Sequence, residues 1–572
     1  MFSLNKVKIK TFFIISIFLF PVFAFAINVN DEIVFNIDKS YDIDKREEIK
    51  AILIKSTDNL YFFVDKNLWD DFDTSDQKTF KKSLSDIDKE FKEKIYPILT
   101  SKLGSEPNPG IDNDKKITIL IHPMKKGAGA YSRLGDLYSK FEYPLSNERE
   151  MIYLNSDYIN NASAKTFLAH EFAHLITLNQ KNLKRNIEED IWLNEARAEY
   201  AITLLGYDDN YPESNLERRV NTFLKNPSVS LTEWEDSPSN YAVVNLFTQY
   251  LVDHYGVKIL KDSLKSEKVG IDSINEALSK NEYKENFSQI FADWAITVLL
   301  NDCSLGEKYC YKNKNLKDLR INPVSNYLPL GFETSLSVKN TLKGWQPSWY
   351  KIFGGGGTLT FEFDGKDNVK FNVPYVLCDN LNKCSVNHLI LDEYQKDEIT
   401  VSGFNAKYKS LYILPFVEEK GDNFSFSIKM SIDLKGEDQI KDMLNQIELL
   451  KKEIERLKAE IAKKNSEETI SNENNQENQN KISCQKINNN LYFGLLNNNE
   501  VSCLQEFLKN EGVYPEGLIT GNFLSLTYKA VINFQEKYSN EILLPFNLEK
   551  GTGYVGEKTR EKINQIIENK YK

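Results

Sequence analysis

Residues 170–174 read HEFAH, and this short pattern constrains the local fold more than any other stretch of the chain. Positions i and i+4 share one face of a helix, so His170 and His174 would present two imidazoles to a single point. The chain contains only five histidines, and two of them form this pair. Apolar neighbours predict an amphipathic helix over roughly 163–179. The pattern therefore predicts a metal site, with Glu171 beside it as general base.

A second segment, IWLNEARAEY at 191–200, supplies carboxylates on another predicted helix. A hydrolytic zinc site needs three protein ligands and one open position, and Glu195 is predicted to be the third ligand. Glu199 follows one turn later and would accept a ring N–H of a liganding histidine. The alternative for Glu195 is a solvated helix carboxylate. Its apolar neighbours favour a buried segment, where an unpaired carboxylate would be costly.

HEFAH followed by WLNEARAEY resembles the gluzincin metallopeptidases, the class of thermolysin and of the hyicolysin-like bacterial enzymes. The stretches GAGAYSRLGDL and MIYLNSD also resemble the hyicolysin-like group, and the resemblance covers roughly residues 50–320. It implies one Zn²⁺ per chain, held by His170, His174 and Glu195. In such enzymes the metal polarises the scissile carbonyl and its water, while the glutamate, here Glu171, moves the proton.

The same resemblance implies a donor for the oxyanion that forms during hydrolysis. Family members carry a tyrosine or histidine for this purpose downstream of the third ligand, and residues 239–256 resemble the helix that carries it. Tyr241 is the predicted donor, with packing or capping of the helix as its alternative role. Tyr250 and His254 are weaker candidates. The two remaining histidines, His122 and His388, are interpreted as structural or exposed.

The N-terminus predicts export. Three lysines precede an apolar run that ends in Ala24-Phe25-Ala26, which is typical of a secretory signal peptide over residues 1–26. An uncleaved anchor helix is the alternative.

No later segment is long and apolar enough to span a membrane, and the net charge of −11 argues against nucleic-acid binding. Export permits disulfides, and proximity pairs Cys303 with Cys310, Cys378 with Cys384, and Cys484 with Cys503.

Changes of pattern along the chain predict a multidomain α+β protein. Residues 27–330 are predicted to be the metallopeptidase domain, with strands at 117–121 and 151–154 and helices at roughly 163–179, 191–205, 240–255 and 285–301. Residues 331–434 alternate like an antiparallel, sandwich-like β-domain. Heptad isoleucines and leucines predict a coiled coil over 436–463 that would join two copies of the chain. A lone amphipathic helix is the alternative. Residues 464–482 form an Asn/Glu-rich flexible linker.

Residues 483–572 resemble the small helical peptidoglycan-binding domain of many cell-wall hydrolases. The resemblance rests on LQ at 504–505, FQ at 534–535 and the segment GYVGEKTR, and it departs from the family at 522–525. It implies peptidoglycan as a partner and a location at the cell wall. An interaction domain that no longer binds the wall is the alternative.

These features together predict a secreted zinc endopeptidase that hydrolyses proteins or peptides and is held at the wall. Two other functions stay open. One is a peptidoglycan cross-link endopeptidase, which only the tail suggests. The other is a wall-anchored structural protein with an inactive peptidase fold, against which the intact Glu171 argues.

Overall fold

The computed structural model describes residues 27–329, 334–433, 447, 451, 486–546 and 548–570. The predicted signal peptide, the linker and nearly all of the predicted coiled coil lie outside these residues. The chain is a mixed α+β protein that divides into two compact units. One contains the residues up to Lys92 together with Asn108–Leu168, and the other contains Glu93–Pro107 and everything from Ala169 onward.

The first unit is built on a six-stranded sheet with the order β1-β2-β3-β4-β6-β5. Every residue of its central strands is buried and most of them are apolar, as expected where strands pair in parallel. Strand β4 pairs in parallel with both β3 and β6, whereas β5 is antiparallel to β6 at one edge. The predicted strands at 117–121 and 151–154 are confirmed. The strands are β1 (Glu32–Asn36), β2 (Glu48–Ser56), β3 (Leu60–Asp65), β4 (Ile117–His122), β5 (Ala130–Tyr131) and β6 (Met151–Asn155), with helices α1 (Lys66–Asp71) and α2 (Thr74–Glu90).

Most helices belong to the second unit, and all four predicted ones are confirmed with ends that shift by at most two residues. The helix that carries Tyr241 begins at Pro238 because Ser237 and Asn240 form a reciprocal capping box there. Among the described residues, no helix combines the length and the apolar character needed to cross a membrane. The helices are α3 (Tyr96–Lys102), α4 (Ser163–Leu178), which the division between the units crosses, α5 (Ile191–Leu204), α6 (Asn215–Lys225), α7 (Pro238–Tyr255), α8 (Lys258–Leu264), α9 (Gly270–Lys280) and α10 (Phe287–Leu300).

The β-rich part of the second unit forms a nine-stranded sheet and a two-stranded one. The larger sheet consists of two groups of strands, one in the order β13-β12-β15-β9-β7 and the other in the order β14-β10-β17-β8. Strands β14 and β15 connect the two groups through one residue pair, Phe404 and Tyr408. Side chains from both groups share one buried core. Strand β7 precedes residue 331 but belongs to this sheet, because it pairs in parallel with β9, which lies more than twenty residues later in the chain. The strands are β7 (Val324–Leu328), β8 (Thr334–Leu342), β9 (Tyr350–Gly354), β10 (Gly357–Gly365), β11 (Phe371–Asn372), β12 (Pro374–Asp379), β13 (Cys384–His388), β14 (Lys396–Phe404), β15 (Tyr408–Ile413), β16 (Phe416–Val417) and β17 (Phe424–Asp433).

Two of the three predicted disulfides lie within the described residues, and both are confirmed. Cys303 is bonded to Cys310, and Cys378 is bonded to Cys384. Cys503 is also disulfide-bonded. Its predicted partner, Cys484, lies outside the described residues, so that pairing stays a prediction.

The C-terminal helices are organised by two buried glutamines that make the same contacts thirty residues apart. The Oε1 atom of Gln505 accepts the N–H groups of Thr520 and Gly521 at 2.7 and 2.9 Å. The Oε1 atom of Gln535 accepts those of Thr552 and Gly553 at the same two distances. Each side-chain amide also donates to a carbonyl of the loop that it holds and to the hydroxyl of a threonine in the helix that follows the loop. The segment is therefore an internal repeat of a helix and a clamped loop. Its helices are α11 (Asn499–Asn510), α12 (Ser525–Lys537), α13 (Ser539–Ile542) and α14 (Glu557–Lys570).

Gln505 and Gln535 are called the glutamine clamps below, and replacing either of them with alanine should destabilise the loop that it holds. Buried donors and acceptors that lose their partner cost about 1–3 kcal/mol, so we expect Gln505→Ala and Gln535→Ala each to lower the local free energy of opening by that amount. Hydrogen exchange should accelerate at Thr520 and Gly521 in the first variant and at Thr552 and Gly553 in the second. The control is Gln565→Ala, which removes an exposed glutamine from α14. Unchanged exchange in both clamp variants would contradict this view.

Candidate metal centre

Two histidines one turn apart on α4 form the base of the site, as the sequence predicts. The Nε2 atoms of His170 and His174 lie 3.1 Å apart. Their ring planes are nearly perpendicular at 83°, with centroids separated by 4.8 Å. Both side chains are largely buried, so little water competes for these nitrogens.

Helix α5 brings Glu195 to the same point. Its Oε2 atom lies 3.3 Å from Nε2 of His170, and its Oε1 atom lies 3.5 Å from Nε2 of His174. One ligand atom from each of the three residues lies within 4.8 Å of the others. Two imidazole nitrogens and one carboxylate are a donor set that zinc accepts in hydrolytic sites.

An unsatisfied oxygen supports the fit of a metal. The Oε2 atom of Glu195 is buried and accepts no hydrogen bond in the described part of the chain, although Nε2 of His170 lies 3.3 Å away. Burial opposes a charge on His170, but contact with Glu195 and the charges of Glu171 and Glu199 outweigh it and raise the pKa of His170 to about 9. The site therefore concentrates negative charge around the histidines, and a cation would compensate it.

Glu199, one turn after Glu195, is the most heavily bonded carboxylate of the site. Arg219 donates to its two oxygens at 2.8 and 2.6 Å, and Asn215 and Asn245 donate at 3.0 and 3.2 Å. Burial alone would raise the pKa of Glu199, but the charge and hydrogen bonds of Arg219 hold it at about 2. Its Oε1 atom lies 3.8 Å from Nδ1 of His170. Glu199 therefore lies beside His170 at an ion-pair distance, and the predicted hydrogen bond between these two described residues is not formed.

The other histidine is held by a residue that sequence reasoning missed. Nδ1 of His174 lies 3.0 Å from Oδ1 of Asn194. This contact leaves Nε2 directed toward the cluster, which is how outer hydrogen bonds orient metal-binding histidines. The position of Asn194 directly before Glu195 is the only signal the sequence offers for this contact. Arg219, Asn215 and Asn245 were also missed, and nothing in the local pattern connects them to Glu199.

Glu171 and Tyr241 are the two residues with a predicted catalytic role. Glu171 lies between the two histidines on α4 and is 7% exposed. Tyr241 donates from its hydroxyl to Asp236 at 3.0 Å, and the Arg219 guanidinium lies 4.9 Å from the centre of its ring. The structure thus brings Tyr241 next to the partner of Glu199. Its role as oxyanion donor stays a prediction.

The weaker candidates make contacts elsewhere. The Tyr250 hydroxyl donates to the carbonyl of Lys308 at 2.7 Å, and Nε2 of His254 lies 2.9 Å from the carbonyl oxygen of Cys310. His122 is fully buried in the first unit, with Nδ1 at 3.2 Å from Asp42. His388 is exposed on β13. These positions agree with structural or surface roles.

Sequence comparison finds a related protease. No protein-family model matches the chain. Over 241 residues, the chain is 30% identical to the neutral metalloprotease ShpI of Staphylococcus hyicus. The similarity supports a metalloprotease family, and with it a bound metal. The matched region covers 38% of the chain and 52% of ShpI, so the chain spans about half the length of the curated relative it matches.

Two solved structures each resemble about a fifth of the chain. The pre-peptidase C-terminal domain of collagenase from Bacillus anthracis is 10% identical, with a TM-score of 0.15, and covers 19% of this chain and 96% of that domain. The Yersinia pseudotuberculosis-derived mitogen gives the same identity and TM-score, over 19% of this chain and 94% of the mitogen. At these TM-scores neither likeness carries an argument about fold or function.

Removing the Arg219 guanidinium should leave the buried Glu199 carboxylate without its cationic partner. We expect Arg219→Ala to lower the free energy of unfolding by about 3–5 kcal/mol at pH 7, measured by urea denaturation. The control is Lys225→Ala, which removes an exposed cation from the end of the same helix and should cost no more than about 0.5 kcal/mol. Equal losses in the two variants would argue against a buried ion pair.

The ion pair of Arg219 and Glu199 makes the free energy of unfolding depend on pH. The pKa of Glu199 falls on folding from 4.5 to about 2, so its contribution is complete above pH 4.5 and is lost as the pH falls toward 2. In Arg219→Ala the unpaired carboxylate takes up a proton more readily. The stability difference between the wild type and Arg219→Ala should therefore shrink as the pH is lowered through this window.

Loss of the third predicted ligand, the carboxylate of Glu195, should weaken metal binding. We expect Glu195→Gln to bind zinc at least about tenfold more weakly than the wild type, measured by competition with a chromogenic chelator. The control is Glu188→Gln, an exposed glutamate that precedes α5. Unchanged zinc affinity in Glu195→Gln would remove this residue from the ligand set.

Proposed function

We propose that this chain is a secreted zinc endopeptidase of the gluzincin type that hydrolyses peptide bonds of proteins. The observation that carries the proposal is the cluster of His170, His174 and Glu195, in which a buried carboxylate oxygen of Glu195 accepts no hydrogen bond from the described residues. The similarity to a neutral metalloprotease supports the same reaction.

Zinc bound at this cluster would act as a Lewis acid that polarises the scissile carbonyl and makes water more acidic. The protein residues perform the remaining tasks. Glu171 takes the proton of the attacking water and passes it to the leaving amine. Asn194 and Glu199 orient His174 and His170 through their Nδ1 atoms, which keeps both Nε2 atoms directed at one point. Tyr241 is proposed to donate to the oxyanion.

We further propose that the signal-like N-terminus exports the chain and that the C-terminal helices hold it at the cell wall. The resemblance of residues 483–572 to a peptidoglycan-binding domain supports this second step. The predicted coiled coil would join two copies of the chain and so present two C-terminal units to the wall, which would increase avidity.

The decisive variant is Glu171→Gln, which keeps the size of the side chain and removes its basicity. General acid–base catalysis contributes about 10²–10⁴-fold, so we expect casein cleavage to fall by that factor while zinc content stays unchanged. Glu188→Gln is the matched control, and a zinc chelator should abolish cleavage by the wild type. Full activity in Glu171→Gln would refute the mechanism.

The substrate class is tested in parallel with purified peptidoglycan. Peptides released from casein alone support the proposal. Muropeptides released from peptidoglycan would identify a cross-link endopeptidase instead. A protein that binds zinc and cleaves neither substrate would be the inactive structural protein.

A further inference from the structure

A large cavity lies within the second unit, far along the chain from the proposed zinc ligands. It forms where β7 and β9 of the β-rich part meet the C-terminal helices, and its volume is about 920 Å³. Tyr327 of β7 joins the apolar core of those helices, and its hydroxyl lies 3.4 Å from the carbonyl oxygen of Phe493. The volume is in the range of sites for small ligands.

Aromatic rings form one wall of this cavity. Phe353 lies at the centre, with its ring centroid 5.5 Å from that of Tyr327, 5.3 Å from Tyr554 and 6.3 Å from Tyr492. Tyr327 and Tyr554 are buried and support the other two rings, while Tyr492 is 38% exposed. Such rings offer a flat apolar surface with polar tips, which suits the C–H face of a sugar ring.

The charge of the lining is opposite to that of the protein. Four cationic side chains line the cavity, from Lys351, Lys409, Lys558 and Arg560, against one acidic side chain, from Glu557. The whole chain carries a net charge of −11. A local cationic site on an acidic protein favours an anionic ligand, because guanidinium and ammonium groups bind carboxylates by charge-assisted hydrogen bonds.

Polar side chains complete the lining of the cavity. Asparagines line it at positions 322, 326, 405 and 490, and threonines at positions 552 and 559. Amide and hydroxyl groups both donate and accept hydrogen bonds. This part of the lining therefore suits a ligand that is rich in hydroxyl groups.

From the rings, the cations and the polar lining, we propose that this cavity binds an acidic oligosaccharide. Sugar rings pack on Phe353 and Tyr492, and carboxylates of the sugar pair with Lys351 and Arg560. Two sources share this chemistry, namely uronic-acid glycans and wall glycans that have lost their stem peptides, since the lactyl carboxylate is free only in the latter form. Only the second source rests on the proposed location at the wall.

Calorimetric titration of the mature full chain carrying Glu171→Gln tests the proposal without substrate turnover. The probes are a peptide-free tetrasaccharide of alternating N-acetylglucosamine and N-acetylmuramic acid, a hyaluronan tetrasaccharide, and neutral chitotetraose. At least one acidic probe should bind tenfold or more tightly than chitotetraose, and its affinity should fall with added salt. The probe that binds better identifies the source.

Cavity variants locate the binding. Tyr492→Ala and Lys351→Ala should each weaken binding of the acidic probe at least tenfold. Tyr394→Ala and Lys429→Ala, which remove exposed side chains outside the cavity, should leave it unchanged. The far-ultraviolet circular dichroism spectra of Tyr492→Ala and Lys351→Ala should match that of the parent chain, which shows that both variants are folded whether or not the chain cleaves protein.

Three results would overturn the proposal. Equal affinity for chitotetraose would remove the role of the cations. Unchanged binding in both cavity variants would place the ligand elsewhere. Binding of an oligoglutamate peptide without binding of either acidic sugar would identify a peptide site.

Discussion

One buried carboxylate joins four helices around the candidate metal centre. Glu199 extends from α5, receives Arg219 and Asn215 from α6 and Asn245 from α7, and faces His170 of α4. A charge buried this deeply is tolerated only with an opposite charge and satisfied hydrogen bonds. The same contacts that compensate the charge also fix the relative positions of the helices. The spacing of the three ligand atoms thus depends on a residue that is not itself in the predicted ligand set.

The sequence predicts the parts of this arrangement that repeat with a local period. The helical spacing of His170 and His174 and the apolar character of the helix with Glu195 are visible within a few residues, so the predicted cluster of these three side chains is present. Arg219 and Asn245 lie 20 and 46 residues from Glu199 along the chain. No local pattern encodes such pairs, because they form only when α6 and α7 pack on α5. Strand β7 was missed for the same reason, since its pairing with β9 crosses the expected domain boundary.

Most buried polar atoms of the described second unit find partners within the protein, as at Glu199 and at Gln505 and Gln535. Glu195 Oε2 is one of several exceptions among the described residues, which also include Asn245 Oδ1 beside Glu199. Glu195 Oε2 differs from the other exceptions because it lies in a cluster of side chains that could hold a metal ion. Leaving a buried acceptor unpaired lowers stability, so a bound cation would complete the fold at this point.

The paired glutamine clamps bear on how the C-terminal segment tolerates change in length. Gln505 holds a backbone N–H fifteen residues later, whereas Gln535 holds the equivalent N–H seventeen residues later. The contacts at the two clamps nevertheless match in distance. The two extra residues are absorbed by the intervening loop, because lengthening a loop whose ends are already fixed costs little. Each loop is therefore free to gain or lose residues while the packing of the helices stays the same.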